Sequence, residues 1–497
     1  MKRRVISFLL VLAMALTFAG CGSSEKKSDA KDRSKKVAAK DRDDDDGDDR
    51  GVGGKGDEDD GRGDDDGKGD DGKGDNGGKG DDNGKGGGSG QDQKPGFHSL
   101  GLSEKYLVGF EYSTNDIYEV DPYVTVKFRK DGKVEMVDRV AVDKGGEARV
   151  REFDLTDEAY EALEQAIDLY KLYTLDPEEM DPDEVMDGGY SHIYMYGEDG
   201  QVVYAAGGFC PRNKTFLNMY SALYDALPQE LLDAYEELKI HQEFSRKRLY
   251  GGYGVFLNEE TDWNLVRDYG VVVVDAQFLS EEDIKKLREQ GNEFILSYIN
   301  VGSLEEFRPY YEEFADLALG EYEHWEDEQW VDAGSEKWQA FILETLAPEL
   351  LAKGIDGFFV DNCDVYYQFP TNEILQGLAD MMHGLVATGK QVIINGGDVF
   401  LDAYTEKQGE WYDVVTGINQ EMVFTWMDFD NNMVRARIMK CDEMEYYKAY
   451  IEKYAAMGAD VFLLEYSDNA GILDRVEKYC REKRFAYYIS DSLELDG

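Results

Sequence analysis

Val271-Val272-Val273-Val274-Asp275 sets four β-branched residues in a row and ends them on an acid. β-Branched side chains fit strands, and an apolar run without polar alternation suits a strand buried on both faces. Seven further short runs of this kind occupy 253–257, 294–299, 357–360, 391–395, 414–418, 460–465 and 485–489, mostly separated by helical stretches. Eight strands alternating with helices over about 245 residues is the arithmetic of a (β/α)8 TIM barrel within the α/β class. A doubly wound open sheet is the alternative. No G-x-G-x-x-G follows the first run, so dinucleotide binding has no support.

In such barrels chemistry gathers at the carboxyl ends of the strands. The runs end at Asp275 and Gln277, at Ser297-Tyr298-Ile299-Asn300, at Asp361-Asn362-Cys363-Asp364, at Asn395-Gly396-Gly397-Asp398, at Asn419-Gln420-Glu421 and at Glu465-Tyr466-Ser467-Asp468-Asn469. Acids recur there without a His or a nucleophile elbow. A set of carboxylates alone favours glycosidic-bond chemistry, in which one protonated acid assists the leaving oxygen and one ionised partner stabilises or attacks the anomeric carbon. Crowding the acids raises at least one pKa and so provides the proton donor. Clustered carboxylates also bind Mg²⁺ or Ca²⁺, and Asp or Asn after a strand also caps the next helix; both readings stay open for any single acid. No cofactor and no metal are expected. A metal-dependent hydrolase is the weakest variant, as the five His are scattered and no C-x-x-C exists.

The run Tyr298-Ile299-Asn300-Val301-Gly302-Ser303, the later Gly354-Ile355-Asp356-Gly357-Phe358-Phe359-Val360-Asp361-Asn362-Cys363-Asp364, and Gln420-Glu421 resemble glycoside hydrolase family 114, the endo-α-1,4-polygalactosaminidase-like (β/α)8 barrels. Trp330-Val331-Asp332 with Trp338 fits the aromatic-and-acid stretch before the fourth strand. The resemblance covers about 250–490. It implies that Asp361 and Glu421 match the two candidate catalytic carboxylates, Asp361 as nucleophile or base and Glu421 as general acid/base, with the roles open to exchange. It further implies that Asp275, Tyr298, Asn300, Asp364 and Glu465 line the sugar site. Trp330 stands between a stacking surface for a pyranose and a core residue. The implied substrate is an α-1,4-linked, partly deacetylated galactosamine polysaccharide, and the rival function is a catalytically inactive polysaccharide-binding lipoprotein. The long acidic insert 304–335 departs from the family pattern and bears on the substrate, because loops there shape the cleft.

Upstream, Lys2-Arg3-Arg4, an apolar run over 5–18 and Ala19-Gly20-Cys21 read as a signal peptide whose Cys21 resembles a lipobox cysteine. An ordinary secretory signal or an uncleaved anchor is the alternative. A lipidated Cys21 would hold the protein on the extracellular face of a bacterial membrane. Residues 22–96 form an acidic Gly-rich linker; 41–95 alone hold 19 Gly and 20 acids with one large apolar residue, Val52, and such a segment is expected to be disordered. From 97 to 245 a small α+β accessory domain is expected. Hairpins turn at Asp131-Gly132 and Asp199-Gly200, Thr156 and Asn213 cap helices, and Pro228 opens a third. Its tyrosines (Tyr190, Tyr194, Tyr196, Tyr204) are either a sugar-stacking platform or ordinary sheet surface. The barrel takes 250–497.

The charge is −51 over 497 residues, with 105 acids against 54 Lys and Arg. It divides into +7 for 1–40, −11 for 41–95 and −47 for 96–497, so the acidity belongs mostly to the globular part. Nucleic acid is excluded as a partner, since a binder needs a basic footprint. No protein partner is inferred. A cationic amino-sugar polymer would be attracted.

Overall fold

The computed structural model describes residues 96–113, 124–138, 148–181, 189–323, 325–428, 433–437 and 440–496. The expected leader, lipidated Cys21 and acidic linker to residue 95 lie outside the described residues.

The first globular part is a six-stranded antiparallel sheet: β1 (Tyr106–Tyr112), β2 (Val124–Arg129), β3 (Lys133–Asp138), β4 (Arg149–Asp154), β5 (Tyr190–Tyr196) and β6 (Val202–Phe209), in the order β4-β3-β2-β1-β5-β6. Both expected hairpins are present, and Gly132 and Gly200 take the positive φ their turns require (81° and 75°). Thr156 accepts the Ala159 N–H at 3.1 Å and so starts helix Asp157–Ala166. Asn213 caps helix Lys214–Asp225 in the same way. Alternation along β2 sends Val124, Val126 and Phe128 into a core shared with Leu163, Phe216 and Leu223. The four tyrosines do not share one face. Tyr204 packs on Tyr173 within the helix side (4.9 Å between centroids), and Tyr196 is buried beneath Lys127. Tyr190 and Tyr194 flank His192 on the outer surface.

The second part contains β7 (Tyr253–Phe256), β8 (Val271–Val274), β9 (Phe294–Asn300), β10 (Ser303–Glu305), β11 (Ala318–Tyr322), β12 (Trp325–Val331), β13 (Gly357–Asp361), β14 (Gln391–Asn395), β15 (Gly417–Glu421), β16 (Thr425–Asp428), β17 (Met433–Ala436), β18 (Asp460–Tyr466) and β19 (Ala486–Ser490). Eight of these form one parallel sheet in the order β19-β18-β15-β14-β13-β9-β8-β7, and its two end strands lie side by side. The sheet is thus nearly closed into the expected (β/α)8 barrel. β8 shows why the valine run decides this: Val271 and Val273 point into the barrel beside Tyr298 and Phe359, while Val272 and Val274 point out to the helix layer. The insert after β9 is a three-stranded antiparallel sheet, β10-β12-β11.

One strand is displaced from its expected position. Val414 and Val415 belong to a turn, their N–H groups bonded back to the Trp411 carbonyl, so the sixth barrel strand runs Gly417–Glu421 instead of 414–418. The shift brings Glu421 onto the strand itself.

Helix Gln229–Tyr250 joins the two parts. Its Leu231, Tyr235 and Leu238 belong to the core of the small domain, and its Phe244 to the barrel core. Near its end Arg248 pairs with Asp460 at 2.7 Å, and Ser245 donates to the same carboxylate at 2.5 Å. Asp460 opens β18, and His241 meets Gln391, which opens β14. Arg149 of β4 lies over Trp411 and Tyr412, just ahead of β15. The small domain therefore sits against the amino-terminal ends of the barrel strands. Asp460→Ala would leave a buried guanidinium without its counter-charge, an expected cost of about 3–5 kcal/mol. Urea unfolding should show a correspondingly lower midpoint, with a smaller loss for Ser245→Ala.

Candidate active site

Alternation fixes what enters the barrel at its carboxyl-terminal end. Tyr298 on β9, Asp361 on β13, Asn395 on β14, Asn419 and Glu421 on β15, and Tyr466 on β18 all point inward. The centre of the group is one amide. Asn395 Nδ2 donates to Asp361 Oδ1 at 3.0 Å and to Glu421 Oε1 at 2.7 Å, and the Asn419 amide fixes Asn395 by donating to its Oδ1 at 2.7 Å. The two N–H bonds of an amide diverge by about 120°, which puts the bridged carboxylate oxygens roughly 5 Å apart. Tyr466 donates to the other Glu421 oxygen at 2.9 Å, and Tyr298 hydrogen-bonds Asp361.

Burial separates the two acids in strength. Burial is the main force that pushes Asp361 up to about 6, against the hydrogen bonds from Asn395, the Asn362 N–H and Tyr298. Glu421 is driven further, to about 8, by burial and then by the negative charge of Asp361. Near pH 7 the prevailing state is therefore an ionised Asp361 beside a protonated Glu421. An ionised carboxylate and a proton donor side by side can carry out acid-assisted cleavage of a glycosidic bond.

The remaining expected site residues are placed as follows. Asp275 is ion-paired with Arg308 at 2.8 Å, and Arg308 is held by Glu305 at 2.6 Å, all of them buried. Asn300 accepts the Ser303 N–H at 2.9 Å and donates to Ser303 Oγ at 2.7 Å and to Glu328 Oε1 of β12 at 3.2 Å. Asp364 accepts the Gly397 N–H at 3.1 Å, and burial together with Asp398 pushes its carboxyl well above the usual range. Two residues are turned away from the barrel interior. Trp330 is packed against Tyr322 with centroids 4.1 Å apart and joins the outer core. Glu465 is 0 % exposed, whereas Asp361 and Glu421 each keep 4 %, and its oxygens hold the Phe424 N–H at 2.8 Å and the Thr425 hydroxyl at 2.7 Å. The cause is strand parity: Phe462, Leu464 and Tyr466 face the interior, so Glu465 faces out. Parity also was the cue to Asn395 and Tyr466, which the residue types alone did not single out. Glu305, Arg308 and Glu328 come from the insert and had no such cue. Among the described residues no three His, Cys, Asp or Glu side chains are grouped to hold a metal ion.

An eight-stranded parallel barrel with an acid pair at the carboxyl ends of β13 and β15 is a barrel of the glycosidase kind. Residues 253–497 match the model of glycoside-hydrolase family GH114, and over those residues the protein is a glycoside hydrolase of that family. Among solved structures, the glycoside hydrolase domain of PelA from Pseudomonas aeruginosa is similar at 20 % identity, covering 50 % of this chain and 96 % of that one with a TM-score of 0.42. Ega3 of Aspergillus fumigatus in complex with galactosamine is similar at 16 % identity, covering 49 % of this chain and 92 % of that one with a TM-score of 0.36. No curated protein matches the chain.

The raised carboxyls also tie stability to pH. A group with a folded pKa above its unfolded one contributes stability that is complete at low pH and is lost as pH rises to the folded value. Unfolding midpoints in urea should therefore decline from about pH 5 to about pH 8, the upper end set by Glu421. Glu421→Gln, which stays neutral, should flatten the upper part of that decline.

Proposed function

We propose that the protein cleaves an α-1,4-linked galactosamine-containing polysaccharide by a two-carboxylate mechanism with retention at the anomeric carbon. The observation that carries the mechanism is the Asn395 bridge between Asp361 and Glu421. An oxygen separation near 5 Å fits retaining glycosidases, whose carboxyls lie about 5–5.5 Å apart, and is too short for the roughly 6.5–9.5 Å that an inverting water requires. Asp361, ionised, attacks the anomeric carbon while Glu421 gives its proton to the leaving oxygen. The glycosyl ester on Asp361 is then opened by water, from which the now ionised Glu421 takes a proton. Tyr466 stabilises that anion by donating to it.

The substrate class is supported by membership of the family and by charge. Residues 96–497 carry a net charge of −47, and a partly deacetylated galactosamine chain carries ammonium groups. The sequence before residue 96 supports a protein lipidated at Cys21 and held on the extracellular face of a bacterial membrane.

Reducing-end release from partly deacetylated poly-galactosamine should follow a bell-shaped pH profile, rising with Asp361 near 6 and falling with Glu421 near 8. Glu421→Gln should lower kcat by about 10²–10⁴-fold, and Asp361→Asn by at least as much. NMR of the first-formed product should show the α anomer. An initial β anomer would refute retention, and full activity in both variants would refute the site. Added salt should slow the reaction, since attraction between charges is screened beyond about 10 Å at 0.1 M. Separately, Cys21→Ser should move the protein from the membrane fraction to the medium.

A further inference from the structure

The insert brings a carboxylate, Glu328 of β12, to a position that the two-acid chemistry does not use. It is 3 % exposed. Its Oε1 accepts from Asn362 Nδ2 at 3.1 Å, from Asn300 Nδ2 at 3.2 Å and from the Ser303 hydroxyl. Ser303 Oγ in turn accepts from the same two amides, at 2.8 Å from Asn362 and 2.7 Å from Asn300. On the other side of the Asn362 amide, Tyr322 of β11 donates to Oδ1 at 3.1 Å. The insert and the loop leading into it thus grip both ends of the Asn362 side chain.

What they grip is a left-handed turn. Asn362 has φ = 66°, a conformation that, among residues with a side chain, Asn and Asp tolerate best. The backbone is so tight that a Cβ on Gly302 would stand 1.7 Å from the Asn362 carbonyl oxygen. This turn follows Asp361 directly and aims the Asn362 N–H at Asp361 Oδ1, 3.0 Å away. That oxygen also receives the Asn395 amide, so two donors orient the carboxylate and leave its other oxygen without an amide.

We infer that Glu328 is a positioning residue: through the Asn362 side chain it holds the left-handed turn that orients Asp361. The inference rests on the assignment of Asp361 as nucleophile above. Burial, and then Glu305 opposite it across β10 and β12, push the Glu328 carboxyl well above the usual range. Its Oε1, with donors from Asn362, Asn300 and Ser303, is the acceptor that fixes the Asn362 amide. The other titratable groups near Asp361 are Glu421 and Tyr466 from β15 and β18, Tyr298 from β9, Glu305 and Tyr322 from the insert, and Cys363 and Asp364 from its own loop.

The test uses two readouts on the same variants. The first needs no substrate: the ¹³C carboxyl titration of Asp361 in aspartate-labelled protein, assigned with Asp361→Asn. Glu328→Ala should raise the Asp361 midpoint by about one pH unit, because loosening the Asn362 N–H removes a bond that favours the ionised form. Glu328→Gln, which keeps an accepting oxygen, should bring the midpoint back toward the wild-type value. Asn362→Gly keeps the turn accessible but deletes the link, so it should shift the midpoint in the same direction, and the double variant should go no further. The second readout is kinetic: Glu328→Ala should lower kcat about 10–100-fold with KM little changed, and Glu328→Gln should recover most of that loss. Should Glu328→Ala not fold, Glu328→Gln and Asn362→Gly alone and combined carry the comparison. An Asp361 midpoint that stays put in the variants, or shifts that add in the double variant, overturns the inference. Midpoints that move as expected in a protein that cleaves no amino-sugar polymer support it and overturn the functional reading instead.

Discussion

One amide nitrogen governs the site. Asn395 sits between two acids inside a barrel that offers little water, and it satisfies both with a single NH₂ group. Without such a donor two carboxyls at this separation would repel one another and share a proton; with it they are held at a fixed distance. Burial then makes them unequal, because the second acid to ionise does so beside the charge of the first. The rest of the inner surface serves this arrangement. Asn419 orients the amide through its oxygen, Tyr253 orients Asn419 at 3.1 Å, and Tyr298 and Tyr466 attend to one acid each. These partners stand on strands far apart in sequence, and the barrel is what makes them neighbours.

The barrel was legible because its strands are buried on both faces and so read as unbroken apolar runs, Val271–Val274 above all. Acids follow several strands, and Asp361 and Glu421 stood out among them only through the resemblance of 354–364 and 420–421 to family 114. What failed to show was orientation within a strand. Glu465 and Tyr466 are adjacent, and a choice by residue type favours the acid, yet the two-residue repeat of the strand gives the interior to the tyrosine. Trp330 was open between a sugar platform and a core residue; the insert needs a core of its own, and Trp330 with Tyr322 supplies it. The insert could be recognised as a departure from the family pattern. Its three-stranded form, and the reach of Glu328 to Asn362, depend on antiparallel pairing that its acidic sequence does not announce.

The acidity of the chain gains structure from this picture. Much of the −47 on residues 96–497 lies on solvated helices, where charges are screened and act only as a general field. A smaller set is buried around the barrel mouth, and there it is handled case by case. Arg308 pairs with both Asp275 and Glu305, backbone and hydroxyl donors hold Glu465, and burial pushes the Asp364 and Glu328 carboxyls well above the usual range. Packing so many acids around the barrel mouth is tolerable because each has its own donors or a counter-charge.

The placement of the small domain has a mechanical consequence. It abuts the amino-terminal ends of the barrel strands through helix Gln229–Tyr250 and the Arg149 contact, while Asp361 and Glu421 stand at the opposite ends. The described residues that precede the barrel therefore stand at the pole away from Asp361 and Glu421. A pull on residue 96 would load the small domain and the Arg248–Asp460 lock before it reached the acid pair. The molecule is built with a handle at one end and its working edge at the other.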